Sequence, residues 1–419
     1  MTRFKSYILT FVCMTSCGIA SAEPPKMPDI AIEDIPKVEV EDLIQFMTPL
    51  EGTTPAQWRV MWYGDASTEA TISWTTAEEG SKHRVLYGKD PKHLNLVQES
   101  PPKARRPAGK NAYFHHTKIT GLEPDTHYYF VMESDGVRSK TLYFRTAPTS
   151  GTGFSIIHGG DSRSGHTNRC RMNLLIAAYA RNDKNIIAFA HGGDFIDTSG
   201  WNNWRLWLSQ HELTTATDGR VLPLIPTKGN HDRAGTLYER VFGLESKHAD
   251  KEGKGSAAFT TRIGKDVAMV TLNTNHSGSA QADWLEKQLS QLRPETRWLL
   301  VQYHRPMFPA VKGPAKQAPI FVPLFEKYNV DLACESDGHC IKRTVPIRDG
   351  QKDPTGVVYI GEGGLGVGQK KPGGRWYLEG GKRGSGHHFM VLNFTDETLR
   401  CRTFLMNNKV FDDFSLKAR

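Results

Sequence analysis

The spacing of apolar and polar positions changes character once along the chain. Between Gln57 and Ala147, short apolar-rich runs recur at 59–62, 70–74, 83–87, 114–119, 128–132 and 141–144, with turn residues between them. Runs of that length and spacing predict a β-sandwich. Trp74 is expected in its core. His115 and His116 are adjacent on one predicted strand, so they point to opposite faces and are expected to pack rather than to share a metal. From Phe154 the period changes. Strands are predicted at 154–157, 186–190, around Leu224, and at 268–272, 298–301 and 330–333. Helices are predicted near 171–180, 201–212, 281–292 and 319–328. That alternation predicts an α/β domain with helices on both faces. Strands return from Val357 through 388–392 to 398–402 and are expected to complete a sheet layer. Trp201, Trp204 and Trp207 recur every three residues, the pattern of a helix face turned to the core.

The ends of the chain refine this picture. Residues 1–22 have the pattern of a secretory signal: basic Arg3 and Lys5, an apolar stretch from Tyr7 to Cys13, and small residues at Ala20-Ser21-Ala22. The expected product is exported, secreted or periplasmic; a lipid anchor at Cys17 is the alternative. No other run is long enough to span a bilayer. Residues 23–51 are rich in Pro, Asp and Glu and predict an extended arm or linker, with a short helix near 41–47. The sandwich is expected over 52–149, of immunoglobulin or fibronectin type III kind, and the α/β domain over 150–419. The formal charge of +8 falls to +6 without the signal. The basic cluster 103–110 lacks the interleaved aromatic residues of a nucleic-acid platform, so an acidic small molecule is the better-matched partner. The remaining cysteines, Cys170, Cys334, Cys340 and Cys401, are able to pair in an oxidising compartment, in no order that the spacing reveals.

The chemistry lies where the strands stop. Ligands of open α/β sheets bind beyond the carboxyl ends of strands. Here those ends carry Asp161, Asp194, the run Gly229-Asn230-His231-Asp232, His304, and Asp337 with His339. The tetrapeptide His-Gly-Gly-Asp even occurs twice, at 158–161 and 191–194. A single Gly-Asp is usually a turn; successive strands ending in oxygen and imidazole donors point to one shared metal site. Hydrolysing a phosphate ester requires neutralising its oxygens and supplying hydroxide, and two ions about 3.5–4 Å apart do both.

In this order the motifs resemble the calcineurin-like metallophosphoesterase superfamily. With the sandwich in front, the chain is similar to the purple acid phosphatase branch. The stretch Leu122-Glu123-Pro124-Asp125-Thr126-His127-Tyr128 resembles the fibronectin III turn braced by a tyrosine. Gln281-Ala282-Asp283-Trp284-Leu285 and Tyr359-Ile360-Gly361-Glu362-Gly363-Gly364 are further likenesses. The resemblance implies two metal ions, Mn, Fe, Zn or Mg. Asp161 and His339 would bind the first and Asp194 would bridge. Asn230 and His304 would bind the second. His231, oriented by Asp232, would contact phosphate or protonate the leaving group.

Three positions depart from the family pattern. Asp197 stands where purple enzymes carry a tyrosine ligand, so neither purple colour nor obligatory Fe(III) is expected. Arg163 stands where relatives have His or Gly, and a guanidinium there suits a phosphate. Asp337 replaces the first histidine of Gly-His-x-His, which implies a more oxygen-rich second site and a shift toward Mn²⁺, Mg²⁺ or Fe²⁺. The family's later leaving-group histidines are absent from 305–325, which leaves Lys312, Lys316 or His231 alone for that task. The expected activity is hydrolysis of phosphate esters, monoesters first, by attack of metal-bound hydroxide. A phosphodiesterase of the same fold and a degenerate non-catalytic binding protein are the alternatives.

Overall fold

The computed structural model describes residues 30–45, 47–101, 111–149, 153–232, 237–244 and 257–419. The expected signal segment, Cys17 and the 103–110 cluster lie outside them. Two sheets face each other. The first has nine strands in the order Val410–Lys417, Thr398–Leu405, His388–Phe394, Phe154–Gly159, Ile186–His191, Leu224–Pro226, Ala56–Met61, Glu69–Thr76 and Tyr113–Thr120. The second has seven strands and is parallel through Val267–Thr271, Trp298–Gln302, Leu332–Cys334 and Val358–Gly361. Alternating side chains explain the layering: Ile225 enters the core between the sheets, whereas Leu224 packs beneath the outer helices. The helices His166–Asn182 and Trp201–His211 cover the first sheet, and Ser279–Leu292 and Ala318–Lys327 cover the second. No helix among the described residues is long and apolar enough to cross a membrane.

The expected strands and helices of both regions form. Tyr128 braces its turn as the resemblance implied, its hydroxyl accepting from Glu123 N at 2.9 Å. Trp74 is fully buried, with Nε1 donating to Ser134 Oγ at 3.0 Å. His115 stacks on Trp74 and bonds Thr76, whereas His116 meets Ser73 and the Arg240 carbonyl, so both are packing residues. All three tryptophans are buried: Trp204 and Trp207 pack on Phe195 and Phe242, and Trp201 meets Phe114 edge-on.

Three features correct or extend the sequence reading. The sandwich is not a separate bead: its strand Ala56–Met61 pairs in parallel with Leu224–Pro226, with Met61 opposite Leu224. One sandwich sheet therefore continues into the first sheet of the α/β region and carries its hydrogen-bond ladder outward. The expected extended arm is instead packed down where it is described. Ile35, Val40 and Leu43 are buried, and Arg171 donates to the Val38 carbonyl at 3.1 and 3.2 Å. The cysteine pairing left open above does not occur, since all four thiols are buried and free.

Glu212 ties these parts together. It accepts from Thr48 Oγ1 at 2.9 Å and from Gln57 N at 2.5 Å, joining the arm, the sandwich and the turn after Trp201–His211. Burial pushes its carboxyl up to about 7, against the pull of Thr48 and Gln57. The native state then binds this proton more tightly than the unfolded chain, whose value is near 4.5. Its contribution is complete below the unfolded value and is lost as pH rises through about 7. Thermal melts are expected to show stability falling over this window. Glu212→Gln should remove roughly 3 kcal/mol of that pH dependence; an unchanged slope in the variant would assign it to other groups.

Candidate metal centre

Backbone conformation brings the strand-end residues together. Asp161, Asp194, Asp337 and His339 all have positive φ, at 59°, 57°, 67° and 61°. L-residues adopt this region at a cost of about 1–3 kcal/mol each, and such strain gathers where function requires it. Two glycines allow the loops to close. A Cβ on Gly229 would lie 2.1 Å from Asp194 N, and one on Gly363 would lie 1.9 Å from Asp161 Oδ2. Gln281 braces a neighbouring loop, exchanging bonds with Asn273 N and O.

The donors converge in two linked groups. His339 Nε2 lies 3.2 Å from Asp161 Oδ1. His304 Nε2 lies 3.2 Å from Asp194 Oδ1 and 3.6 Å from Asp337 Oδ1. His304 Nδ1 is bonded to the Gly192 carbonyl at 2.8 Å, which leaves Nε2 facing the carboxylates. Ligand atoms of Asp161, Asp194 and His304 all fall within 4.8 Å of one another. Asp161 Oδ1, Asp194 Oδ2, Asn230 Oδ1 and His304 Nε2 are buried and lack a hydrogen-bond partner. Buried polar atoms are rarely left so, and with Asp161, Asp194 and His304 clustered they call for a ligand.

The electrostatics agree. Burial alone would raise the Asp194 carboxyl, but the His304 imidazole and the His231 N–H hold it down at about 2. Burial would strip the proton from His304, yet Asp194 and Asp337 hold its affinity well above that of an ordinary imidazole. Positive charge is wanted at that point, and a divalent cation answers the same need. Oxygen and imidazole donors suit Mn, Fe, Zn or Mg, so the residues present fit a metal.

The comparisons with known proteins agree with this geometry. Residues 55–146 match the model for the purple acid phosphatase N-terminal domain, and residues 157–340 match that for the calcineurin-like phosphoesterases. The chain belongs to the purple acid phosphatase-like calcineurin-type phosphoesterases. Purple acid phosphatase 1 of Ipomoea batatas is 26% identical over 65% of this chain and 61% of its own length. A phosphoenolpyruvate phosphatase of Allium cepa is 23% identical, with 83% of this chain and 75% of that protein covered. A purple acid phosphatase from yellow lupin superimposes with a TM-score of 0.74 at 17% identity, over 87% of this chain and 74% of that one. That likeness shows the fold.

Within this phosphoesterase site, the remaining sequence-picked residues take different places. His231 is partly exposed, and its Nε2 lies 4.0 Å from Asp194 Oδ2. Asp232 is not its orienter, contrary to expectation. The Asp232 carboxylate accepts from the backbone N–H groups of Asp194, Phe195, Ile196 and Gly229 at 2.9–3.3 Å. It therefore shapes the loop that presents Asp194; burial and the Asp194 charge push its own carboxyl up to about 7. The His231 ring is instead held through Nδ1 by the Asp197 carbonyl at 2.5 Å. The Asp197 carboxylate pairs with Arg163, whose Nε also lies 3.4 Å from Asp194 Oδ2. Of the two lysines considered for leaving-group chemistry, Lys312 is bonded to Asp337 and Lys316 is exposed.

One group escaped sequence reasoning. Lys342, Glu335 and Glu362 are fully buried together. The Lys342 ammonium bonds both carboxylates and the Phe308 carbonyl. Glu335 Oε1 accepts from Tyr303 and Met307 N, and Glu362 Oε1 accepts from Ala310 N. His339 N donates to the Glu362 carbonyl at 2.7 Å. This network clamps the segment carrying Asp337 and His339 against the loop after His304. Its charged residues look like surface positions in the sequence, and only Cys340 and Ile341 before Lys342 hint at burial. Lys342→Met is expected to strand two buried carboxylates and cost about 3–5 kcal/mol. A denaturant titration checks this, and a loss below about 1 kcal/mol would remove the network's supporting role.

Proposed function

We propose that the chain is an exported, two-metal phosphatase that hydrolyses phosphate monoesters. The observation that carries this reading is the set of buried, partnerless donor atoms on Asp161, Asp194, Asn230 and His304. Asp161 and His339 would hold the first ion, Asn230, His304 and Asp337 the second, and Asp194 would lie between them. Two divalent ions supply Lewis acidity toward phosphate oxygens and lower the pKa of bound water. This chain's own residues do the rest. Asp232 fixes the loop of Asp194 through backbone donors. Arg163, steadied by Asp197, presents its guanidinium to the phosphate. His231 donates Nδ1–H to the Asp197 carbonyl, so its imidazolium form carries on Nε2 the proton that passes to the departing alkoxide, leaving the neutral ring.

The monoester preference is supported by the phosphoenolpyruvate phosphatase among the relatives. Export rests on the signal-like pattern of residues 1–22. For the metals, one relative of Arabidopsis thaliana is named an Fe(3+)-Zn(2+) purple acid phosphatase. Here Asp197 removes the tyrosine ligand, and Asp337 in place of histidine would move the donor set toward Mn²⁺, Mg²⁺ or Fe²⁺. Stoichiometric zinc at both sites of natively purified protein would count against that shift.

The direct assay is hydrolysis of a chromogenic monoester and diester with and without added Mn²⁺, Zn²⁺ or Fe²⁺. Metal-dependent turnover is expected, faster on the monoester, and Asp194→Asn should reduce it to the metal-free level. Turnover no greater than that of the variant with every metal would end the enzyme reading. His231→Ala should slow a poor leaving group such as phenol by about 10²-fold or more, and nitrophenol by less. Equal losses for both would deny His231 the proton-transfer role.

A further inference from the structure

The two halves of the metal centre are not electrostatically equal. The difference turns on Lys312. Its ammonium lies 2.6 Å from Asp337 Oδ1, and that same oxygen faces His304 Nε2 at 3.6 Å. A fixed cation thus already holds the carboxylate oxygen that turns toward the second group of donors. On the other side, Asp161 Oδ1 lies 3.2 Å from His339 Nε2, meets no lysine or arginine in an ion pair among the described residues, and has no hydrogen-bond partner.

Lys312 does not reach this position by chance fluctuation of a free loop. The loop is pinned at both flanks, with Ala315 N donating to the Pro306 carbonyl and Gly373 N to the Ala310 carbonyl, each at 2.8 Å. Ala310 N is bonded to the buried Glu362, so the base of the loop is tied to the charged network beneath. The Lys312 side chain is 38% exposed, against 8% for Asp337, so the ammonium has a route outward when the carboxylate is taken from it.

Resting on the two-metal reading, we propose that Lys312 is a built-in competitor for the second metal. The ammonium neutralises Asp337 and repels a divalent ion beside it. The centre therefore holds one ion tightly, at Asp161, Asp194 and His339. It takes the second only when metal is plentiful enough to displace Lys312 from Asp337. The substitution of aspartate for the family's histidine and the lysine that answers it then form one device, which makes occupancy of the second site respond to metal supply.

The test is calorimetric titration of the metal-stripped full chain with Mn²⁺, alongside Lys312→Met and Lys312→Arg, with metal content measured after gel filtration. Thermal melts confirm that each variant is folded. The wild type should show one tight equivalent and a second at least tenfold weaker. Lys312→Met should tighten the second by about tenfold or more and retain two ions through the column, while Lys312→Arg should resemble the wild type. An unchanged or weakened second equivalent in Lys312→Met overturns the proposal, and weakening would make Lys312 a residue that positions Asp337 for the metal. Absence of Mn²⁺ binding by any of the proteins would instead defeat the two-metal reading on which it rests.

Discussion

Three carboxylates, Asp161, Asp194 and Asp337, are buried around two imidazoles, and that concentration of negative charge governs the rest of the molecule. Buried like charges persist only with compensation. The chain supplies part of it with Arg163, Lys312 and the N–H groups of His231 and Asp337. It leaves four buried ligand-capable atoms without a hydrogen-bond partner, the share of the compensation that the proposed metal ions would supply. Positive φ at four ligand-candidate positions is the conformational cost of crowding them together.

The fold makes that cost bearable by rigidity on every side. The parallel strands end at one rim, and the site loops are tied to one another rather than to solvent. Asp232 fastens the Asp194 loop from beneath. The buried Lys342 network fastens the Asp337–His339 segment to the loop after His304. The sandwich contributes as well, because its sheet continues the first α/β sheet through the pairing of Met61 with Leu224. Shearing the N-terminal region away would strip an edge from the strand that leads into Gly229–Asp232.

Much of this was legible in the residue order because it is local. A change in period from short alternating runs to strand-and-helix units marks where the architecture changes, and glycine followed by Asp, Asn or His marks every site-bearing strand end except that of His304, which follows Tyr303. The tyrosine turn at Tyr128 and the buried tryptophan stripe are likewise short-range patterns. What stayed hidden depends on partners far away in the chain. Asp232 lies next to His231 in sequence, yet its oxygens turn to N–H groups some 37 positions earlier. Asp197, noted for the tyrosine it lacks, acts instead through its carbonyl on His231 and its carboxylate on Arg163. Glu335, Lys342 and Glu362 look like solvated charges until tertiary packing closes over them. The continuous sheet could not be foreseen either, since strand neighbours separated by more than 160 residues leave no trace in a periodicity.

The central claim is that the partnerless donors on Asp161, Asp194, Asn230 and His304 exist for metal. The most direct measurement is anomalous diffraction from crystals grown or soaked with excess Mn²⁺. The account predicts two peaks on either side of Asp194, one against Asp161 and His339 and the other against Asn230 and His304. Well-diffracting crystals in saturating Mn²⁺ with no peak within coordination distance of Asp194 would contradict it.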